Sequence, residues 1–70
     1  MQRYEINSSA IRTVTYDEAS GTMEVYFHKW GSYRYFNVPE FVIRALLKAP
    51  SKGEYFNRCI ADRYKSEEIR

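Results

Sequence analysis

The stretch from Met23 to Val38 decides the fold of this chain, and it reads M-E-V-Y-F-H-K-W-G-S-Y-R-Y-F-N-V. Apolar and polar residues alternate on both sides of Gly31, which predicts two antiparallel strands joined by a hairpin. Seven of the twelve aromatic residues lie within or just after it: Tyr26, Phe27, Trp30, Tyr33, Tyr35, Phe36 and Phe41. One sheet face of so small a domain needs fewer rings, so we expect some of them to face outward or to face a partner.

The hairpin register decides which of these rings are buried, because a one-residue slip moves every side chain to the opposite face. A three-residue loop, Lys29-Trp30-Gly31, keeps the apolar side chains together and gives Gly31 a left-handed backbone. This register turns Tyr33 and Tyr35 inward, where buried rings are the ordinary expectation. The predicted cross-strand pairs are Phe27–Tyr33, Val25–Tyr35, Tyr26–Arg34 and Glu24–Phe36.

The flanking sequence predicts an α+β fold, with a three-stranded antiparallel meander packed on a C-terminal αα-hairpin. The first strand is Ile11 to Tyr16, with Val14 opposite Val25, Tyr16 opposite Met23, and a bulge that turns Ile11 inward. One helix is predicted from Glu40 to Ala49, with an i,i+4 pair between Glu40 and Arg44. A second runs from a capping box at Ser51-Lys52-Gly53-Glu54 to about Tyr64.

Length and composition predict one domain over residues 1–70. Its core spans about 8–64, residues 1–7 form an N-terminal arm that could pair as an extra edge strand, and 65–70 form a frayed polar tail. One cysteine and one histidine exclude an internal disulfide and make a zinc site implausible, so no cofactor is expected. Without a signal peptide or long apolar run, we expect a cytoplasmic protein that does not enter a membrane. The net charge of +2 is compatible with nucleic-acid binding but is too small to indicate it.

Several ordered segments resemble the KTSC domain family: S-S-x-I from Ser8, G-T-M-E-V-Y-F from Gly21, G-S-Y-R-Y-F-N-V-P from Gly31, and A-P-S-K-G-E-Y-F-N-R from Ala49. The family is named for a segment at the C-terminus of some lysyl-tRNA synthetases, and it also occurs as small free-standing bacterial and phage proteins. The resemblance implies a shared fold unit and, by association with the synthetases, RNA binding. The family motif residues are Tyr33, Tyr35, Ser51, Gly53, Tyr55, Phe56 and Asn57.

The outward sheet face is the first candidate site. In the predicted register it carries Thr13, Thr15, Glu24, Tyr26, His28, Arg34 and Phe36, with Trp30 at the hairpin tip. An aromatic ring beside a guanidinium can stack on bases and attract phosphate. The same groups suit a homodimer interface, and the N-terminal arm could instead cover them. These three alternatives stay open.

The start of the second helix is another candidate, because free N–H groups and Lys52 would suit a phosphate. Ordinary capping by Ser51 and Glu54 is the competing explanation. Arg58 could reach the same phosphate, but it is also placed for a charge ladder between Glu54 and Asp62. His28 has no partner at metal or triad spacing, and Cys59 is expected in the core.

These patterns predict a non-enzymatic binding module that holds RNA or a nucleotide. The expected ligand-binding residues are Tyr26, Arg34, Phe36, His28, Trp30, Lys52 and Arg58. The alternative is a protein-interaction module that forms a homodimer or higher homo-oligomer. The phage members of the family suggest a variant of it, an oligomer that sequesters a nucleotide signal or inhibits a host protein.

Overall fold

The computed structural model describes residues 2–69, which form a five-stranded antiparallel sheet and two helices. In chain order the elements are β1 (Gln2–Glu5), β2 (Ile11–Asp17), β3 (Thr22–Phe27), β4 (Ser32–Tyr35), α1 (Glu40–Lys48), α2 (Lys52–Cys59) and β5 (Ser66–Ile69). The strands keep this order in the sheet, so β5 returns to the edge beside β4 after both helices. The predicted α+β class and central meander are confirmed, and β1 is the extra edge strand that the arm could form.

The polar tail was wrongly predicted as frayed, because residues 66–69 form β5. Arg34 lies opposite Glu67 in this pairing, and the backbone N–H of Phe36 donates to the carbonyl oxygen of Lys65 at 3.0 Å. An edge strand needs no apolar face of its own and often carries charges, so its composition resembles that of a loop. Hydrophobic alternation therefore could not indicate this strand.

The β2–β3 register is as predicted, with Val14 opposite Val25 and Tyr16 opposite Met23. A register shift between Ile11 and Thr13 provides the predicted bulge, and the Ile11 side chain is fully buried. Arg12 is the residue that falls between the two pairs. The bulge thus turns an apolar side chain inward at the end of the strand.

The β3–β4 pairs differ from the prediction by two residues. The observed pairs are Met23–Tyr35, Glu24–Arg34, Val25–Tyr33 and Tyr26–Ser32. The N–H of Phe27 donates to the carbonyl oxygen of Gly31 at 2.9 Å, so the loop is residues 28–30. Gly31 has a φ of 85°, the left-handed conformation expected for it. Since a shift of two restores the side-chain alternation, every side chain keeps its predicted face.

The two helices lie over the inner face, and the rings of the core meet edge to face. Phe56 on α2 packs against Phe27 at 5.2 Å and Tyr35 at 5.4 Å between ring centroids. The Tyr16 hydroxyl donates to the carbonyl oxygen of Val38 at 2.6 Å, which ties the sheet to the segment before α1. The fully buried side chains are Ile11, Val14, Met23, Val25, Val38, Ile43, Leu46 and Ile60.

Both helices are shorter than predicted, ending at Lys48 and Cys59 instead of Ala49 and about Tyr64. The capping box is half formed. Ser51 Oγ accepts from the N–H of Glu54 at 3.3 Å, but the Glu54 carboxylate pairs with Arg58 at 3.0 Å instead of reaching back to residue 51.

Candidate functional site

The outer sheet face is organised around a carboxylate, not around a tyrosine beside a guanidinium. Glu24 Oε2 accepts from Arg34 Nε at 3.1 Å and lies 3.1 Å from Arg34 Nη2. Glu24 Oε1 accepts from the Tyr26 hydroxyl at 2.7 Å and from Thr15 Oγ1 at 3.3 Å. Only 14 % of the Glu24 side chain is exposed. Four polar contacts therefore hold the carboxylate in a position that is mostly shielded from solvent.

These contacts shift the pKa values of the network. The hydrogen bond from Tyr26 is the main cause that lowers the pKa of Glu24, and Arg34 and Thr15 add to it against the opposing effect of burial. The same hydrogen bond raises the pKa of the Tyr26 hydroxyl, with burial as the second cause. Both shifts keep Glu24 ionised and Tyr26 protonated at neutral pH.

Arg34 is balanced on both sides, because its Nη1 also lies 3.5 Å from Glu67 Oε1 on β5. Its guanidinium thus faces two carboxylates, and a phosphate would have to compete with them. The predicted Tyr26–Arg34 pair is wrong: Tyr26 lies opposite Ser32 and donates to Glu24. Phe36 is half-buried beyond the end of β4. This face is a satisfied polar network.

The start of α2 is also engaged in contacts within the chain. Lys52 Nζ donates to the carbonyl oxygen of Ala49 at 2.8 Å, and Ser51 caps the helix. Arg58 pairs with Glu54 across an exposed turn, and the predicted ladder does not extend to Asp62 within residues 2–69. A cleft of about 210 Å³ lies beside the start of α2. It is lined in part by Tyr55, and burial raises the pKa of the Tyr55 hydroxyl.

The hairpin tip forms a cleft with a different character. It has a volume of about 220 Å³, it is open to solvent, and it is lined by Ser9, Ala10, Lys29 and Trp30. The Trp30 side chain is 62 % exposed. Lys29 is exposed and has no carboxylate partner among residues 2–69. An exposed indole thus lies beside a lysine that the described chain leaves unneutralised.

The walls of this cleft are held in place by the fold. The Trp30 ring packs on Phe27 at 5.6 Å between centroids, and Phe27 is itself held by Phe56. His28 joins the tip to the loop before β2 through two contacts. Its backbone N–H donates to the carbonyl oxygen of Ala10, and its ring Nε2 lies 3.0 Å from the carbonyl oxygen of Ser8. The site is therefore preorganised although it lies on a loop.

The α2 start lies on the other side of the same loop. A Cβ added at Gly53 would lie 3.4 Å from the Cβ of Ala10, so the backbone of α2 approaches the loop closely. The two regions that the sequence singled out separately, the hairpin tip and the helix start, thus meet around Ala10.

The other motif residues are mostly structural. Tyr35 and Phe56 are buried, and Tyr33 packs edge to face on Phe27 at 6.1 Å, half-buried. Asn57 is exposed. Sequence reasoning missed Ser9, Ala10 and Lys29, and the available signal was the position of Lys29 next to Trp30 in a loop. It also missed Glu24 and Glu67 as the partners of Arg34.

Among the described residues, no three histidine, cysteine, aspartate or glutamate side chains come together as a metal cluster. Neither α1 nor α2 is long and apolar enough to cross a membrane.

Comparisons with known proteins agree with this fold. The family model of the KTSC domain matches residues 7–64. An uncharacterized protein of Stutzerimonas stutzeri is 41% identical over 58 residues, which are 83% of this chain and 82% of that protein. A lysine–tRNA ligase of Nostoc punctiforme is 36% identical over 61 residues, 87% of this chain but only 11% of the ligase.

A solved structure gives the same result. The crystal structure of a KTSC domain protein from Yersinia pestis superposes with a TM-score of 0.94 at 32% identity, covering 99% of this chain and 97% of that one. The match extends over β1 and β5, which lie outside the segment that the family model covers. Sequence, fold and extent agree, and the chain belongs to the KTSC domain family.

Proposed function

We propose that this protein is a non-enzymatic binding module that holds single-stranded RNA or a nucleotide in the cleft at the hairpin tip. Trp30 would stack on one base, and Lys29 would contact the adjacent phosphate. The observation that carries the proposal is the exposed Trp30 ring, supported from behind by Phe27 and open to solvent beside an unneutralised lysine. This proposal places the binding surface at the hairpin tip, at one end of the sheet, and not on the outer sheet face.

The size and chemistry of the cleft favour a single planar ring. Its volume of about 220 Å³ is below the roughly 300–1,000 Å³ of pockets that enclose drug-sized ligands. Stacking of a base on an aromatic side chain contributes about 1–3 kcal/mol and tolerates any base. A cation next to the ring adds attraction for the phosphate that every nucleotide carries. A protein partner would need a larger apolar patch than one indole provides.

The relatives offer independent support for an RNA partner. The stretch shared with a lysine–tRNA ligase is a small part of an enzyme whose name states that it acts on tRNA.

The cytoplasm is the location we propose for this chain, and fractionation of the host cells would test it.

The test uses Trp30 as its own reporter, because it is the only tryptophan in the chain. Single-stranded RNA oligonucleotides and nucleoside monophosphates are titrated at low salt while the tryptophan emission is recorded. We expect quenching that saturates, and an affinity that falls as salt is raised from about 50 mM to about 200 mM. Trp30→Ala, measured by fluorescence anisotropy of labelled RNA, should weaken binding by about 5- to 150-fold.

Matched variants separate the site from general effects. Lys29→Gln should reduce affinity and lower the salt dependence by about one phosphate contact. Lys48→Gln removes an exposed lysine on α1, and Phe41→Ala removes the other exposed large aromatic side chain; both should bind like the parent. Unchanged emission on addition of RNA, or wild-type affinity of Trp30→Ala, would show that the cleft does not bind RNA.

A further inference from the structure

Beyond the binding cleft, we propose that the outer edge of β1 pairs with the same edge of a second copy of this chain. The two copies would form a symmetric dimer with one continuous antiparallel sheet of ten strands. Among residues 2–69, no segment covers this edge, because β1 is the terminal strand of the sheet and its only strand partner is β2. The proposal rests on the backbone geometry and charges of β1, and it does not depend on the RNA site.

The backbone groups that point outward follow from the β1–β2 ladder. The N–H of Ile6 donates to the carbonyl oxygen of Arg12 at 3.0 Å, and the register of this bond continues through Tyr4–Val14. In an antiparallel pair, bonded and non-bonded residues alternate. The N–H and C=O groups of Arg3 and Glu5 therefore point away from β2. They are the groups that a new strand would bond.

Charge selects one register for this new pairing. If Tyr4 lies opposite Tyr4 of the second copy, Arg3 of each copy lies opposite Glu5 of the other. Both residues then form bonded pairs, giving four backbone hydrogen bonds and two cross-strand ion pairs. A shift by two in either direction places arginine opposite arginine or glutamate opposite glutamate, which is unfavourable. Within one copy Arg3 Nε already lies 2.9 Å from Glu5 Oε2, so dimerisation exchanges this exposed pair for two pairs across the strands. Both side chains can make this exchange, with exposures of 70 % for Arg3 and 69 % for Glu5.

The opposite edge of the sheet is less suited to the same kind of pairing. The N–H of Phe36 bonds Lys65, so Ser66 and Glu68 are the residues of β5 whose backbone groups point outward. Of the three antiparallel registers of β5 with its copy, two put carboxylates face to face, Glu67 with Glu67 or Glu68 with Glu68. The third, with Ser66 opposite Ser66, places Glu67 opposite Lys65, which lies just before the strand. Natural edge strands use such charges to prevent association. Only β1 forms its ion pairs between residues of the strand itself, so the contrast between the two edges favours β1 as the surface for self-pairing.

Sedimentation velocity of the full chain, from about 10 µM to about 1 mM, tests the proposal. We expect a reversible monomer–dimer equilibrium. Arg3→Glu should weaken dimerisation by about tenfold or more, because two attractive pairs become repulsive. The double variant Arg3→Glu/Glu5→Arg should restore it, since each glutamate again meets an arginine. Glu68→Arg, on the other edge, should leave the equilibrium unchanged.

Comparison of Glu5→Pro with Glu5→Gln tests the hydrogen bonds separately from the charges, because both variants lack the carboxylate and only proline also lacks the N–H. That N–H points away from β2, so the β1–β2 ladder stays intact, and the dimer should weaken further in Glu5→Pro than in Glu5→Gln. Circular dichroism confirms that each variant is folded. A chain that stays monomeric throughout, a dimer that Arg3→Glu leaves intact, or failure of the double variant to restore it would overturn the proposal. So would open-ended polymers that respond to Glu68→Arg, because they indicate pairing of β1 with β5.

Discussion

Replacing Glu24 by glutamine removes the negative charge at the centre of the outer-face network while keeping the shape of the side chain. The amide oxygen can still accept from Tyr26 at the position of Oε1. The amide nitrogen then faces Arg34 Nε and Nη2, which are both donors, so two contacts of 3.1 Å are lost. Arg34 keeps only the longer contact to Glu67.

The size of the effect follows from burial. Hydrogen bonds to charged groups contribute about 1.5–3 kcal/mol when buried, and exposed ion pairs about 0.2–1 kcal/mol. Glu24 is mostly buried but the Arg34 side chain is 35 % exposed, so we discount the upper value for solvent screening. We expect Glu24→Gln to lower the free energy of unfolding by about 1.5 kcal/mol. A domain of this length has roughly 4–10 kcal/mol in total, and the melting temperature should fall by about 6–12 °C.

Urea unfolding followed by circular dichroism at pH 7 measures this change. Glu67→Gln is the matched control, because Glu67 contacts the same guanidinium at 3.5 Å with 54 % of its side chain exposed. It should lower the free energy of unfolding by less than about 0.5 kcal/mol. Equal values for the two variants, or no loss in Glu24→Gln, would refute the assignment of Glu24 as the centre of the network.

The pH dependence gives a second, independent readout. The pKa of Glu24 in the folded state is lowered from its ordinary value of 4.5, so ionisation favours the folded chain. Its contribution is complete above that ordinary value and is lost as pH falls through the lowered one. The stability difference between the parent and Glu24→Gln should therefore be constant near neutrality and shrink under acid conditions. A difference that grows on acidification would contradict the lowered pKa.

Two further predictions concern the core. Phe56→Ala removes a buried ring that meets Phe27 and Tyr35 edge to face, and urea unfolding should show a loss of about 3–5 kcal/mol, a large part of the stability of the domain. Phe41→Ala, at a residue 71 % exposed, should change it by less than about 0.5 kcal/mol, and a similar loss in both would contradict the packing. Tyr16→Phe leaves the carbonyl oxygen of Val38 without its buried donor and should lower the free energy of unfolding by about 1–2 kcal/mol. A neutral Tyr16→Phe would mean that water replaces the hydroxyl.

The sequence predicts the faces of the sheet better than its pairs. Met23, Val25 and Phe27 point inward as expected, because their alternation has a period of two. That same period makes registers two residues apart equivalent in hydrophobic pattern, so it could not distinguish the predicted partner of Glu24, Phe36, from the observed one, Arg34. The difference matters for function, because it decides whether the guanidinium faces a ring or a carboxylate.

The candidate site was predictable only in part. Trp30 was identified as a tip residue, but the other side of its cleft comes from Ser9 and Ala10, which are distant in sequence and have no distinctive chemistry. Strand β5 escaped detection for a similar reason. Its role depends on Arg34, more than thirty residues earlier, and its own residues carry a single apolar side chain that could indicate a strand. Contacts between distant polar residues leave no periodic trace in a sequence.

The two outermost strands have a practical consequence for anyone who cuts this domain out of a longer protein. The family model spans residues 7–64, so a truncation at those limits would discard both β1 and β5. The truncation would make β2 an edge strand whose backbone N–H and C=O groups on one side are unpaired. It would also expose one side of Thr13 to Tyr16, four consecutive residues that are buried in the complete sheet. Such a fragment would be prone to precipitation. Expression boundaries should therefore be set by the sheet, a few residues beyond each end of the matched segment.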